Sequence, residues 1–358
     1  MIDLKQYGYM KTENTADGLI PGRVSGQHRD CYDVICPQGE VRASLKGSFI
    51  HGARLRHDLP CVGDYVLLKY NENGPSFIED LLPRRSKFSR ADFFGHAIGH
   101  IKANREQLVA ANFDFVFILT SLNLDFNVNR IARYLTQSWQ SGGQPVVILT
   151  KADLVEDFGP QLDAVRDVAP GVPVHAVSTH TGLGLGALGE YLQPVKTVVF
   201  LGMSGVGKSS LINALMEQEV MSVKAIREDD SRGRHTTTHR QLFMLPSGAM
   251  VIDTPGMREL GLFDADEGIS TGFADVEGLF AGCRFNDCQH TTEPGCAVLA
   301  VLSNGSLTHE RWERYLAQKR ENKYVNSKAD YFSDKRTWTK SIAMWSKQRK
   351  QDRGGFGE

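Results

Sequence analysis

Residues 202–209 read Gly202-Met203-Ser204-Gly205-Val206-Gly207-Lys208-Ser209, a match to G-x-x-x-x-G-K-[ST]. Backbone N–H groups can wrap a polyphosphate where no side chain stands in the way, and Gly202, Gly205 and Gly207 supply those openings. Lys208 would reach the terminal phosphates, and the Ser209 hydroxyl would take one position on a Mg²⁺ bridging them. Met203, Ser204, Val206 and Ser210 complete the stretch that would line the phosphates. An apolar run of strand length, Val198 to Leu201, precedes the loop, and Leu211, Ile212, Ala214 and Leu215 follow with helical spacing. The pattern therefore stands in the strand–loop–helix context that a phosphate-binding loop requires.

A second constellation is C-x-x-x-x-C-x-H-x-x-x-x-x-C, formed by Cys283, Cys288, His290 and Cys296. Three soft thiolates and one imidazole suit tetrahedral Zn²⁺, and four protein ligands leave no open position, so the site is expected to be structural. Asp287 and Glu293 are poorer candidates beside a complete set. The remaining thiols, Cys31, Cys36 and Cys61, are scattered and read as core or surface groups.

Around the phosphate loop the chain resembles the GTP-binding proteins, which combine such a loop with a D-x-x-G and an N-K-x-D base-reading motif. Asp253-Thr254-Pro255-Gly256 supplies the first, and Thr150-Lys151-Ala152-Asp153 stands for the second, with Thr150 where the family usually has Asn. By that resemblance Asp153 accepts from the ring N–H and exocyclic amine of guanine, Lys151 lies along the base, and Ser178 is the serine of the family's last motif. Residues 228–238 are placed as the first switch; Thr237 is the first choice for closing on Mg²⁺ and the terminal phosphate, with Thr236 and Thr238 as neighbours. Met257 follows the D-x-x-G where many GTPases have a water-orienting Gln, and a thioether cannot orient water. Slow intrinsic hydrolysis is expected, with a partner fixing another group; His235 is the candidate, since imidazole can orient or accept from water near neutral pH.

The elements that must position these residues follow from patterning. Residues 1–20 read as a loose N-terminal arm. Residues 21–85 carry short β-like runs punctuated by Gly, Pro and Asn, which suit a small barrel of the oligonucleotide-binding (OB-like) type. The basic run 83–90, with Phe88 inside it, offers phosphate contacts and a ring to stack on a base. Over 100–265 buried strands alternate with helical patterns, which predicts an α/β domain with a parallel sheet covered on both faces. Residues 266–326 form the zinc-binding, mostly helical domain. In the tail, 327–358, Lys335, Arg336, Lys340, Lys347, Arg349, Lys350 and Arg353 interleave with Trp338 and Trp345.

At 358 residues, with 41% hydrophobic and 23% charged, the chain can bury several cores. A net charge of −1 confines nucleic-acid contacts to local patches. No leader pattern and no apolar run approaching about 18 residues is present, so a cytoplasmic protein without membrane contact is expected.

The base-reading motif precedes the phosphate loop, the reverse of the ordinary order, so the domain resembles the circularly permuted P-loop GTPases. Barrel, permuted GTPase domain and C-x-x-x-x-C-x-H-x-x-x-x-x-C module together, with Gly233-Arg234-His235-Thr236-Thr237-Thr238, closely resemble the small ribosomal subunit biogenesis GTPases of the RsgA family. The resemblance spans roughly residues 20–320. It implies GTP hydrolysis stimulated by the small ribosomal subunit during late maturation, ribosomal RNA binding and help in releasing another assembly factor. It also implies GTP and GDP with Mg²⁺, one structural zinc and a monomer. Two other readings are a zinc-containing RNA-binding regulator that uses GTP as a switch ligand alone, and, resting on Thr150, an ATP-using enzyme.

Overall fold

The computed structural model describes residues 1–10, 18–28, 31–52, 58–91, 106–123, 126–221, 240–254, 262 and 264–323. His235, Thr237, Gly256, Met257 and the basic tail lie outside the described residues.

Among the described residues, β1 (Ile20–Gln27), β2 (Tyr32–Cys36), β3 (Gly39–Leu45), β4 (Tyr65–Lys69) and β5 (Ser76–Leu81) close a barrel. Its order is β1-β2-β3-β5-β4, returning to β1 through Ile20↔Leu68 to Arg23↔Tyr65. The pairing β3–β5 is parallel and the other barrel pairings are antiparallel. Helix α1 (Gly47–Gly52) lies between β3 and β4. Alternation decides which side chains fill the interior: Val24, Val34, Ala43, Val66, Leu68 and Ile78 are fully buried, whereas Phe77, next to Ile78, faces out. The hairpin β6 (Lys87–Ala91) and β7 (Glu106–Ala111) follows.

The α/β domain is built from β8 (Phe115–Ser121), α2 (Val128–Gln140), β9 (Gln144–Thr150), α3 (Gly159–Val168), β10 (Val174–Ala176), β11 (Thr197–Leu201), α4 (Lys208–Met216), β12 (Gln241–Met244) and β13 (Met250–Asp253). Its sheet order is β10-β9-β8-β11-β13-β12, with β12 antiparallel to β13 and the other pairs parallel. Residues 198–201 and 146–149 are continuous apolar runs because both faces of these strands are covered, leaving them nearly inaccessible. Helices α5 (Asp266–Gly272), α6 (Ala274–Glu277), α7 (Ala297–Ser303) and α8 (309–323) make up the C-terminal unit. No helix among the described residues is long and apolar enough to cross a membrane.

Two sequence expectations are corrected. The first ten residues are not a loose arm: Leu4 is buried in the core of the α/β domain and Ile2 N donates to the Pro37 carbonyl at 2.9 Å. The carbonyl of Tyr7 accepts from Arg23 at 2.6 Å and from Tyr65 Oη at 2.8 Å. Two members of the basic run 83–90 are consumed by packing, while Arg85 and Lys87 stay exposed. Arg84 donates to both carboxylate oxygens of the buried Asp64, at 2.8 and 2.7 Å, and Phe88 is 1% exposed, so neither can meet a nucleic acid.

Barrel and α/β domain meet at a tight junction. The guanidinium of Arg23, fully buried on β1, donates to the Asn112 carbonyl and Thr197 Oγ1 at 3.0 Å and lies over the Tyr65 ring. Burial pulls its pKa down, and these acceptors offset part of that cost. Gly63 has φ +93°, and a Cβ there would stand 2.1 Å from the Ala111 carbonyl oxygen and 2.9 Å from Ile252 Cδ1. Both backbone conformation and space therefore demand glycine. Gly63→Ala is expected to cost about 3 kcal/mol, read as a lower urea midpoint with an unchanged m-value; an unchanged midpoint would show that the junction yields.

Candidate nucleotide site and metal cluster

Strand β11 ends at Leu201, and the chain turns into α4 through the glycine loop. At Gly202, φ is +155° and a Cβ would meet the Leu119 carbonyl oxygen at 2.6 Å, so this first position accepts no side chain. Lys208, 9% exposed, curls back over the loop and donates through Nζ to the carbonyls of Gly202 at 2.8 Å and Met203 at 2.7 Å. An ammonium held there faces whatever the loop encloses. Ser204 and Gly205 are exposed, while Ser209 and Ser210, in the first turn of α4, are half-buried.

Asp253 closes β13 beside this loop, since Val198 and Val199 pair with Val251 and Ile252. The hydroxyl of Thr254 donates to the Phe200 carbonyl at 2.5 Å and ties the end of β13 to β11. Asp253 is 3% exposed, and its Oδ1 has no hydrogen-bond partner among the described residues. Desolvation raises its pKa to about 6, against the opposing pull of the Lys208 charge and the Thr254 N–H. A buried, unpartnered carboxylate oxygen next to an ammonium is what a hydrated divalent cation carried by a polyphosphate would satisfy, so these residues fit Mg²⁺ with a nucleotide.

The Thr150–Asp153 tetrapeptide begins at the end of β9, on the same edge of the sheet. Thr150 is buried, and its Oγ1 donates to the Val206 carbonyl at 2.5 Å, with the Thr120 carbonyl at 3.3 Å. A short hydroxyl thus ties the tetrapeptide to the phosphate loop from the position where the family usually has Asn. Lys151 sits in the left-handed region at φ 59°, and a 3₁₀ turn, Ala152–Leu154, carries Asp153 to the surface. Ala152 N donates to the Val177 carbonyl at 3.1 Å, which brings Ser178 alongside. The buried Ser178 hydroxyl bonds to Asp153 and holds its carboxyl below the usual carboxylate range, leaving an exposed, ionised acceptor. Ser178 Oγ itself accepts from His180 N and Thr181 N at 3.2 Å.

Thr150, Lys151, Ala152, Asp153, Ser178, residues 202–210 and Asp253 are therefore assembled on one edge of the sheet. The contacts that sequence reasoning missed are the two threonine hydroxyls, of Thr150 and Thr254, that sew neighbouring strand ends together. Their signal was a short hydroxyl side chain at the last polar position of a buried strand.

In the C-terminal unit the ligand atoms of Cys283, Cys288, His290 and Cys296 all lie within 4.8 Å of one another. Thiolate and imidazole ligands of a tetrahedral zinc stand roughly 3.5–3.8 Å apart, from bond lengths of about 2.3 and 2.0 Å. Here Cys283 Sγ is 3.6 Å from His290 Nδ1 and 4.0 Å from Cys296 Sγ, and His290 Nδ1 is 3.4 Å from Cys296 Sγ. The set fits zinc. Phe280 stacks on the His290 ring at 4.4 Å and fixes its plane. Glu293 accepts from the backbone N–H groups of Gln289, Thr291 and Thr292 at 2.9, 2.8 and 3.0 Å. Those bonds pull its pKa to about 2, so this carboxylate organises the loop and leaves the ligand set to the thiols and His290.

Two outcomes follow from these geometries. The Asp253 pKa is higher in the folded protein than in the unfolded chain, so the ionised carboxylate opposes folding above about pH 6, an effect that fades as pH falls toward about 4. Asp253→Asn is expected to raise the melting temperature of the nucleotide-free protein at pH 7.5, by a margin that shrinks toward pH 5, and to weaken Mg²⁺-nucleotide binding; a pH-independent change would place the effect elsewhere. Metal analysis should find about one zinc per chain. Removing it by chelation should abolish the near-ultraviolet dichroism arising around Trp312, the T-shaped neighbour of His290, while leaving GDP affinity within about twofold.

A sequence profile of the RsgA GTPase family matches residues 81–263. Small ribosomal subunit biogenesis GTPase RsgA 2 of Lactiplantibacillus plantarum is 46% identical, over 90% of this chain and 90% of its own length. YjeQ from Thermotoga maritima has a similar crystal structure, with a TM-score of 0.61 at 26% identity, covering 84% of this chain and 96% of that one. The crystal structure of YloQ, a circularly permuted GTPase, shares the fold with a TM-score of 0.59 at 22% identity, covering 88% of this chain and 99% of its own. Motif order, strand pairing, the Cys₃His cluster and these likenesses agree: the chain belongs to the RsgA family of small ribosomal subunit biogenesis GTPases, with a circularly permuted GTPase domain.

Proposed function

We propose that this chain hydrolyses GTP slowly by itself and faster on the small ribosomal subunit, using each cycle to assist late maturation and the release of another assembly factor. The observation that carries the reading is the Thr150–Val206 bond. It joins the base-reading tetrapeptide to the phosphate loop and makes one site with Asp153 exposed at the base end and Lys208 at the phosphate end. In this site the backbone of residues 202–207 and Lys208 hold the phosphates, and Ser209 and Thr237 ligate Mg²⁺. Asp253 would accept from water carried by that ion, Gly256 of the D-x-x-G is assigned to the terminal phosphate, and Asp153 selects guanine. Bound Mg²⁺ would supply neutralisation of charge between the phosphates.

Met257 follows the D-x-x-G where many GTPases have a water-orienting Gln, and its thioether cannot take that role, which supports a slow intrinsic rate. His235 is the group we assign to that task once a partner has fixed it. Zinc at Cys283, Cys288, His290 and Cys296 has a structural role, and ribosomal RNA and the cytoplasm are the corresponding partner and place. The names of the relatives support the small-subunit assignment.

Phosphate release measured with and without purified small subunits is the test. Stimulation by orders of magnitude is expected, since activating partners supply about 10³–10⁵-fold in other GTPases. His235→Ala should remove most of it without changing GDP affinity, and excess ATP should not compete. An equal rate with and without subunits would favour GTP as a switch ligand only.

A further inference from the structure

The barrel reaches the nucleotide site through one short path. Gln241, the first residue of β12, pairs with Asp253 on one side and with Gly26 of barrel strand β1 on the other. Two strand spacings, about 10 Å, therefore separate the barrel backbone from the Asp253 backbone. Immediately before Gln241, Arg240 Nη1 donates to Gln27 Oε1 of the barrel at 3.3 Å and to the Leu108 carbonyl of β7 at 3.0 Å. Gly63, in the barrel loop before β4, leaves no room for a side chain beside Ile252, the neighbour of Asp253. Arg240 thus straddles barrel and hairpin at the point where the chain enters β12, three residues after Thr237 and five after His235.

We infer that Arg240 is a positioning residue for hydrolysis: through Gln27 it makes the barrel part of the frame that holds the β12–β13 end of the site. The argument rests on the GTPase reading above. In the slow intrinsic reaction the missing element is an oriented water, and a better-held frame gains little. Once a partner has completed the site, every loosening of the frame is felt in the transition state and falls on kcat rather than KM. Neither Arg240 nor Gln27 belongs to the phosphate loop, the base-reading tetrapeptide or the D-x-x-G. Sequence motifs therefore do not mark them.

The test uses the full chain with purified small subunits, comparing wild type, Arg240→Ala, Arg240→Lys, Gln27→Ala and the double variant Arg240→Ala/Gln27→Ala. Subunit-stimulated kcat should fall about tenfold in either alanine variant, with KM for GTP, GDP affinity and co-sedimentation with subunits within about twofold of wild type. Arg240→Lys should recover part of the rate, and the double variant should be no slower than the slower single, because both remove the same Arg240–Gln27 contact. Melting temperatures separate a folding defect, and Gln27→Ala probes the contact from the barrel side without touching Arg240. Unchanged stimulated kcat, multiplicative losses in the double variant, or equal losses in intrinsic and stimulated rates would overturn the inference. A wild-type chain that subunits do not stimulate would instead overturn the functional reading on which it rests.

Discussion

The groups that read a nucleotide's base and the groups that hold its phosphates must stand one nucleotide apart, and parallel pairing of β9, β8, β11 and β13 sets that spacing. Register places Thr150 opposite Ser121, Leu201 opposite Ile118 and Ile252 opposite Val199, so the three functional strand ends emerge on one edge of the sheet. Once they are there, two hydroxyls lock them: Thr150 to Val206 and Thr254 to Phe200. Each bond contributes about 1 kcal/mol, yet each also satisfies a backbone carbonyl that would cost more if left unpaired. The sheet is indifferent to chain order. It depends on which strands pair, so the base-reading loop can precede the phosphate loop without moving the site.

Much of this was legible because the chemistry is local in sequence. A phosphate loop and a four-ligand metal cluster are fixed by spacing over eight and fourteen residues, and the buried strands announce themselves as unbroken apolar runs. What escaped is non-local. Arg84 read as a phosphate contact because its partner, Asp64, is twenty residues away, and Phe88 read as a stacking ring because nothing near it reveals which side of β6 faces inward. Arg23 sits among barrel strand residues, and only the three-dimensional junction explains an arginine with no accessible surface. The first ten residues look polar on average, while four side chains, Ile2, Leu4, Tyr7 and Tyr9, carry the packing. Thr150 looked like a loss relative to Asn; the shorter side chain suffices because the Val206 carbonyl lies within 2.5 Å.

The C-terminal unit is held to the GTPase domain along α2. Gln140 Oε1 accepts from Gly268 N at 2.7 Å, Thr136 Oγ1 pairs with Gln318 at 2.6 Å, and Arg133 meets Glu321 at 3.0 Å. Asn322 Oδ1 accepts from Ala265 N at 3.1 Å, so α8 also fixes the start of α5. Inside that unit, Arg311 grips Asp275 through two hydrogen bonds and lies over Phe273, while Phe280 and Trp312 pack on His290 and Tyr315 packs on both of them. The metal cluster and the aromatic cluster share residues, so filling one orders the other.

The permutation gives this arrangement its mechanical sense. In the chain as built, the barrel enters beside β12, and the segment after Asp253 runs on into the helices that pack on α2. Both appended units therefore meet the GTPase domain at elements that border its site, the barrel at one sheet edge and the helices on one face. The end of β13 has the barrel loop at Gly63 beside it and the C-terminal helices following it in sequence. Close-packed junctions of this kind are stiff, so a displacement at the strand end is passed on rather than absorbed. An unpermuted order would return the segment after the D-x-x-G to the sheet. Here the next described helix is α5, which packs on α2 in the unit that carries the Cys₃His cluster.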